Sequence, residues 1–258
     1  MERIFLDPGH GGTDPGATAS GLREKDLTLD IALAAARRLR DAGLQVRLSR
    51  GGDETVGLSA RVAAANAWPA DLFLSIHINA GGGSGFESFV HTAAPAATRA
   101  VGDVIHGHVA GFLAGEGFRD RGRKTADFYV LRRTRMAAVL LECLFIDSAA
   151  DAGWLASAVN RDRLAGAVAG AVLRAAGRDD PVPGPAPEPG LPSEPGRPPE
   201  PVPAPPAEEP APWAREAWAW AVELGLLDGT RPWDPLTRQE AAVILHRLYG
   251  KALHGGRP

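Results

Sequence analysis

The sequence predicts an α/β protein with a mostly parallel, twisted sheet flanked by helices, followed by a small α-helical module. Short apolar runs end in glycine-rich loops, and stretches with apolar residues at helical spacing lie between them. A proline-rich segment then separates this part of the chain from a tryptophan-rich end. We therefore predict a first domain over residues 1–177, a linker over 178–211 and a helical module over 212–252.

The first buried strand is the apolar run at residues 4–6, and it stops at a loop rich in proline and glycine. The long polar side chains of this loop belong to Asp7 and His10. A strand that ends in a glycine loop is where an open α/β sheet carries its chemistry. If His10 stood alone, a turn with an incidental surface histidine would be the better interpretation.

A helix and a second strand follow this loop. Apolar residues recur at steps of three and four from Leu29 to Leu39, which predicts an amphipathic helix that ends at Gly43. Residues 44–48 alternate as a strand does, and the alanine-rich residues 58–66 indicate another helix. This alternation of strand and helix is typical of a sheet flanked by helices.

A second histidine occupies the same kind of position as the first. The apolar run that begins at Leu72 ends with His77, shortly before a run of glycines. The carboxyl ends of parallel strands lie at one edge of the sheet, so we expect His10 and His77 to be close together. Glu24 lies just before the first helix. Two imidazoles and one carboxylate are the protein ligands of a catalytic zinc site, which keeps its fourth position open for water.

These residues resemble the zinc-dependent N-acetylmuramoyl-L-alanine amidases of the amidase 3 group. Four segments carry the resemblance, in order, within roughly residues 3–175. They are Asp7-Pro8-Gly9-His10-Gly11-Gly12 with Asp14-Pro15-Gly16-Ala17, Glu24-Lys25-Asp26-Leu27, Ser75-Ile76-His77-Ile78-Asn79-Ala80, and Val139-Leu140-Leu141-Glu142-Cys143.

The resemblance implies the reaction and the residues that perform it. One zinc ion would be held by His10, Glu24 and His77, and Glu142 would be the catalytic acid and base. Glu142 also stands out by itself, because it is the one carboxylate in the most apolar run of the chain, where an unpaired charge is costly. The bond cut would join N-acetylmuramic acid to the L-alanine of the stem peptide in peptidoglycan.

Three further side chains are weaker candidates. Asn79 and Arg132 are candidates for holding the substrate. Asp7 could orient a zinc-bound histidine, and it could equally only cap its loop.

The chain also departs from the family pattern at Met136-Ala137, where relatives commonly have proline, and at Leu144, where they commonly have glycine. Both departures concern the shape of the substrate groove.

The remaining elements of the first domain are less informative. We predict a strand over residues 86–90, a helix over 98–115 and a final helix over 154–176. Residues 118–124 are basic and read as a surface loop that could help to hold an anionic glycopeptide. The remaining histidines of this domain read as ordinary, partly exposed side chains, and the single cysteine as a buried structural thiol. These residues are His91, His106, His108 and Cys143.

Composition narrows the class of protein and its partners. A formal net charge of −3 argues against binding to nucleic acid, and no apolar run is long enough to span a membrane. The N-terminus enters the first strand at once, which leaves no room for a signal peptide. We therefore expect a monomer that is made in the cytoplasm and acts at the bacterial cell wall after release or lysis, as an endolysin or autolysin.

The last part of the chain predicts wall binding. Fifteen of the 22 prolines lie between Pro181 and Pro212, a composition typical of an extended, semi-rigid spacer. Beyond it, a tryptophan- and alanine-rich helix is followed by Thr237-Arg238-Gln239-Glu240-Ala241-Ala242. This pair resembles one S-layer homology motif, which implies binding to a secondary cell-wall polymer through Trp213, Trp218, Trp220 and Trp233. These tryptophans could instead form the core of the module.

Two other functions are compatible with these residues. One is a catalytically silent wall-binding protein, against which the presence of all four chemical residues argues. The other is a zinc peptidase or deacetylase, which would use the same metal chemistry on another amide of the wall.

Overall fold

The computed structural model describes residues 1–178. The predicted module at 212–252 and all but the first residue of the predicted linker lie outside this range, so both stay predictions. The described part contains eight strands, six helices and the loops between them. They are β1 (Arg3–Pro8), β2 (Thr18–Ala19), β3 (Leu22–Arg23), α1 (Glu24–Asp41), β4 (Gln45–Leu48), α2 (Leu58–Ala67), β5 (Leu72–Asn79), β6 (Phe86–His91), α3 (Ala96–Gly115), β7 (Asp120–Ala126), α4 (Tyr129–Arg133), β8 (Ala137–Phe145), α5 (Ala149–Ala156) and α6 (Ala158–Ala175).

Six strands form one sheet in the order β4, β1, β5, β8, β6, β7. The first four of these run parallel, β6 is antiparallel to β8, and β7 is parallel to β6. This architecture confirms the predicted α/β class with a mostly parallel sheet. Strands β2 and β3 form a separate antiparallel pair just before α1. No helix in residues 1–178 combines the length and apolar character that a membrane span requires.

The two faces of the sheet are covered unequally. One face packs on α1, α3 and α6 and holds the larger core, including Ile31, Ile105 and Val168. The other face packs on α2 and α4 around the stacked rings of Phe5 and Phe73. On this second face the side chains at the carboxyl ends of β5 and β8 line an open groove.

Three local predictions are wrong. Residues 118–124 were expected to be a loop, but most of them belong to β7, whose backbone pairs with β6. Charged side chains are typical of edge strands because they discourage pairing with other chains. The helix expected over 154–176 is two helices, α5 and α6, because Ser157 is extended and its hydroxyl accepts a hydrogen bond from the Asn160 amide at 3.3 Å. His106 is buried, between the Ser88 hydroxyl at 2.8 Å and the Asp120 carboxylate at 3.1 Å.

Leu144 adopts a backbone conformation that favours glycine. Its φ is +73°, and it lies at a bulge in β8, where the register with β5 shifts by one residue. The side chain is nevertheless fully buried in the larger core. The departure from the family pattern at this position therefore combines backbone strain with apolar packing.

The strain at Leu144 predicts an unusual order of stability between two variants. Leu144→Gly and Leu144→Ala should both lose about 2–5 kcal/mol of unfolding free energy, since a buried leucine is removed. The glycine variant should be more stable than the alanine variant by about 1 kcal/mol, because only glycine adopts positive φ at no cost. Denaturant unfolding checks this order. At Leu141, which is buried in the same strand, alanine should be more stable than glycine. If the alanine and glycine variants at Leu144 were equally stable, the backbone at this position would not be strained.

Candidate metal centre

Three side chains from three different elements meet at the carboxyl edge of the sheet. His10 comes from the loop after β1, Glu24 is the first residue of α1, and His77 lies near the end of β5. Their potential ligand atoms all lie within 4.8 Å of one another. One Glu24 oxygen is 3.1 Å from His10 Nε2 and the other is 3.0 Å from His77 Nδ1. The structure thus brings together all three residues that the sequence predicts as zinc ligands.

The loop that carries His10 needs glycine for close packing. A Cβ atom on Gly9 would lie 2.3 Å from the ring of His77, and a Cβ on Gly16 would lie 2.6 Å from a Glu24 oxygen. Either distance is far below van der Waals contact. His10 itself has a φ of +60°, a strained conformation that persists only where its surroundings impose it. The glycines therefore allow the three candidate ligands to approach one another.

Two buried arginines hold the backbone of this loop. Arg61 donates hydrogen bonds to the carbonyls of Pro8 at 2.7 Å and His10 at 2.6 Å. Arg50 donates to the carbonyls of Pro8 at 3.1 Å and Gly9 at 2.8 Å. A guanidinium offers five donors in a fixed plane, so each arginine ties several carbonyls together. No sequence motif predicts a role for either arginine.

Asp7 is not hydrogen-bonded to either histidine ring. Its carboxylate accepts hydrogen bonds from Arg61 at 2.7 Å and from the Ser75 hydroxyl at 2.8 Å. Asp7 and Arg61 are both buried, and each supplies the charge that the other needs there. Of the two roles predicted for Asp7, this geometry favours the support of its own loop, through Arg61.

The carboxylate of Asp14 is hydrogen-bonded to the ring of His10. Its Oδ2 is 2.8 Å from His10 Nδ1, and its Oδ1 accepts a hydrogen bond from the Gly16 amide at 3.0 Å. Such a carboxylate fixes the orientation and tautomer of a metal-binding histidine. Asp14 belongs to a motif of the sequence, but the motif alone predicts no task for it. Its position four residues after His10, within a turn of glycines and proline, was the available signal.

The charges of the cluster support one another in the absence of metal. Burial by itself would raise the pKa of Glu24, but the hydrogen bonds and charges of His10 and His77 hold it well below its usual range. Burial would lower the pKa of His10, yet the carboxylates of Glu24 and Asp14 outweigh it and raise the value to about 9. A metal ion that binds here must therefore displace a proton from His10 at neutral pH.

Glu142 lies beside the cluster, and one of its carboxyl oxygens is buried without a hydrogen-bond partner among the described residues. In the register of the sheet it is the direct neighbour of His77. The buried oxygen is Oε2. Burial raises the pKa of Glu142 to about 7, helped by the negative charges of Glu24 and Glu87 against the opposing effect of His77. A carboxyl group of this kind can gain and lose a proton near neutral pH.

The groove in front of these residues has a volume of about 500 Å³. Polar groups of the cluster and Glu142 form one side of it. Apolar and aromatic side chains from α2, from α4, from the residues just before these helices and from β8 form much of the rest. They are Val56, Leu58, Phe128, Tyr129, Val130 and Leu140. A concave site with a few convergent polar groups in an apolar wall is typical of ligand binding.

The two candidates for substrate contact have partners elsewhere. The Asn79 amide donates to Glu87 at 2.9 Å, and its side-chain oxygen accepts from the Ala80 amide at 2.8 Å. Arg132 pairs with Asp127 at 2.5 Å and lies against the ring of Tyr129, which lines the groove. Neither Asn79 nor Arg132 lines the groove itself, and their assignment to the substrate stays a prediction.

The donor set of the cluster fits zinc. Two imidazoles and one carboxylate are a common ligand set of catalytic zinc, and the low pKa of Glu24 keeps that carboxylate ionised. Both histidines and Asp14 also line the groove, so one side of the cluster faces a space where substrate can enter. His10, Glu24 and His77 are therefore the residues that would hold the ion.

The contact between Asp14 and His10 predicts a pH-dependent effect on zinc binding. Asp14→Asn should weaken zinc binding by about 10–100-fold at pH 9, because a carboxylate on a ligand histidine contributes about that much. The loss should shrink towards pH 6, since Asp14 also stabilises the proton that competes for His10. Competition with a coloured chelator measures the affinity at each pH. Asp26→Asn is the control: it removes an exposed carboxylate paired with Arg23 and should leave the zinc affinity unchanged at both pH values. An equal loss at both pH values would contradict this account.

Comparison with known proteins places residues 4–174 in one family model, described as N-acetylmuramoyl-L-alanine amidase. A relative from Bacillus licheniformis, the N-acetylmuramoyl-L-alanine amidase CwlM, is 48% identical over 177 residues, which are 68% of this chain and 69% of the relative. The endolysin of Bacillus phage SPP1 is 44% identical over 156 residues, which are 59% of this chain and 58% of that protein.

The sporulation-specific N-acetylmuramoyl-L-alanine amidase of Bacillus subtilis is 50% identical over 157 residues, which are 60% of each protein. Among solved structures, the catalytic domain of CwlV from Bacillus (Paenibacillus) polymyxa is similar, with a TM-score of 0.63 and 32% identity. That match covers 67% of this chain and 97% of the CwlV domain. The similarity to CwlV thus extends over almost the whole of a catalytic domain.

Proposed function

This chain belongs to the amidase 3 family of N-acetylmuramoyl-L-alanine amidases, and we propose that it is a zinc-dependent peptidoglycan hydrolase. The bond cut is the amide between N-acetylmuramic acid and the L-alanine of the stem peptide. One observation carries the proposal: His10, Glu24 and His77 converge beside Glu142, whose Oε2 is buried and without a partner among the described residues. His10, His77 and Glu142 line one groove, and Glu24 contacts His10.

The residues divide the work of hydrolysis between them. His10, Glu24 and His77 hold the ion, and Asp14 orients the ring of His10. A bound zinc ion supplies Lewis-acid polarisation of the scissile carbonyl and of water. Glu142 accepts a proton from the attacking water and delivers one to the leaving amine, a task for which a pKa of about 7 is well suited.

The walls of the groove assist this proton transfer. Leu140 and Val130 are buried near Glu142, and Phe128 and Tyr129 stand at the rim. An apolar surrounding disfavours the ionised carboxylate and makes it a stronger base. The same surroundings strengthen each electrostatic contact made by a bound substrate.

The decisive experiment incubates purified peptidoglycan with the protein, with and without a chelator, and identifies the released ends. New amino termini on L-alanine, lost with chelator and restored by zinc, are the expected result. Cleavage that leaves a different new amine would favour a zinc peptidase or deacetylase. Absence of cleavage by zinc-loaded protein would favour a silent, wall-binding fold. Wall targeting by residues 212–252 and release at the cell wall stay predictions of the sequence.

A further inference from the structure

A second charged cluster adjoins Glu142 on the side away from the candidate metal ligands. In the register of the sheet, Glu142 of β8 lies between His77 of β5 and Glu87 of β6. Residues directly opposite one another on neighbouring strands project from the same face. Glu87 therefore extends the row of polar side chains that begins at the metal centre.

Glu87 is buried and organises three side chains around its carboxylate. Its Oε1 accepts a hydrogen bond from the Asn79 amide at 2.9 Å. Its Oε2 accepts from Arg121 Nε at 2.7 Å and from Lys124 Nζ at 2.6 Å. Burial alone would raise the pKa of Glu87, but Lys124 and Arg121 hold it below its usual range. The carboxylate is thus ionised, and it fixes both cations in place.

The two cations face solvent although their anchor is buried. The side chains of Arg121 and Lys124 are 29% and 38% exposed, against 6% for Glu87. Arg121 and Lys124 carry two positive charges and Glu87 carries one negative charge, so these three side chains have a net charge of +1. The guanidinium of Arg121 also lies over the ring of Phe145, with 4.8 Å to its centre, and Lys124 lies 5.8 Å from the ring centre of Phe89. These contacts restrict both side chains, so an anion can bind them at a lower cost in entropy.

We propose that Arg121 and Lys124 bind a free carboxylate of the stem peptide and so make the enzyme selective for acidic peptides. This inference rests on the proposed function. The muramic acid carboxyl is consumed in the scissile amide, whereas stem peptides carry free carboxylates, which some cell walls convert to amides. A carboxylate accepts charge-assisted hydrogen bonds from Arg121 and Lys124, and a primary amide has no charge to offer them. Glu87 is then the positioning residue that holds both cations beside Glu142.

The test uses two soluble muropeptides that differ in one group, a free carboxylate or its primary amide. The wild-type protein should prefer the acidic substrate by about tenfold in kcat/KM, through a lower KM, as expected for a charged hydrogen bond. In Lys124→Met and in Arg121→Gln this preference should fall towards one. Arg123→Gln is the matched control, because Arg123 lies on the same strand and pairs instead with Asp103 of α3. This control variant should keep the full preference.

The outcomes separate this inference from the proposed function. Equal cleavage of both substrates by the wild type, or an unchanged preference in both variants, would overturn the carboxylate subsite and leave the amidase intact. If the wild type cleaves neither substrate, the proposed function falls and the subsite falls with it. Thermal unfolding shows whether each variant folds. Lys124→Met decides the matter if Arg121→Gln does not fold, because Lys124 is the more exposed of the two.

Discussion

Glu142→Gln is expected to lose about 100- to 10,000-fold in kcat while it keeps its zinc. Glutamine has nearly the same shape as glutamate but can neither accept nor return the proton that hydrolysis moves. The Oε2 atom of Glu142 has no partner among the described residues, so the substitution removes no hydrogen bond that this atom accepts. Release of L-alanine amino termini from peptidoglycan gives the rate, and elemental analysis of the dialysed protein gives the zinc content.

Glu116→Gln is the matched control for this change. Glu116 accepts hydrogen bonds from Arg163 and Trp154 and does not line the groove. This variant should retain both zinc and turnover. An active Glu142→Gln enzyme would exclude Glu142 as the catalytic acid and base, whatever its zinc content.

The Glu142→Gln substitution should also change how the free energy of unfolding depends on pH. A carboxyl whose pKa rises from 4.5 to about 7 on folding carries no penalty below pH 4.5, where it is protonated in both states. Stability then falls as pH rises towards 7, because only the unfolded state ionises freely. Above about pH 7, the buried carboxylate lowers the free energy of unfolding by about 3 kcal/mol. The metal-free Glu142→Gln protein should therefore gain about this much over the metal-free wild type between pH 4 and pH 8.

His77→Ala is expected to lose both zinc and turnover. His77 offers one of three ligand nitrogens or oxygens in the cluster, and two remaining ligands form a much weaker site. Zinc affinity should fall by more than about 100-fold, since even the groups that support a ligand contribute 10- to 100-fold. Competition with a chelator measures the affinity, and peptidoglycan cleavage measures the activity.

His91→Ala is the control for the loss of a histidine. His91 pairs with Asp127 and lies outside the cluster, so its removal should leave the zinc content unchanged. A His77→Ala protein that still binds one equivalent of zinc tightly would remove His77 from the ligand set. Together with Glu142→Gln, this variant separates the loss of metal from the loss of the proton carrier.

Several local features could not be predicted from the sequence because they depend on residues far apart in the chain. The strand β7 exists because β6 offers its backbone to a segment whose charged residues would otherwise indicate a loop. His106 is buried because Ser88 and Asp120 supply partners from two other elements. That Asp14, and not Asp7, is the partner of His10 depends on the course of the loop. Asp14 reaches the ring of His10, and Asp7 points to Arg61.

The sequence by itself determined the α/β class, the buried strands of the sheet and the four residues that meet at its carboxyl edge. Apolar runs of strand length are local patterns, two of them end in glycine-rich loops beside His10 and His77, and parallel strands bring their ends together whatever lies between them. Only the tertiary structure decided the surroundings of those residues. It placed Arg50 and Arg61 on the carbonyls of the His10 loop, gave Leu144 a glycine-like backbone and set Glu87 with its two cations beside Glu142. Such contacts depend on distances of a few ångströms between segments that are distant in sequence, and no local pattern encodes them.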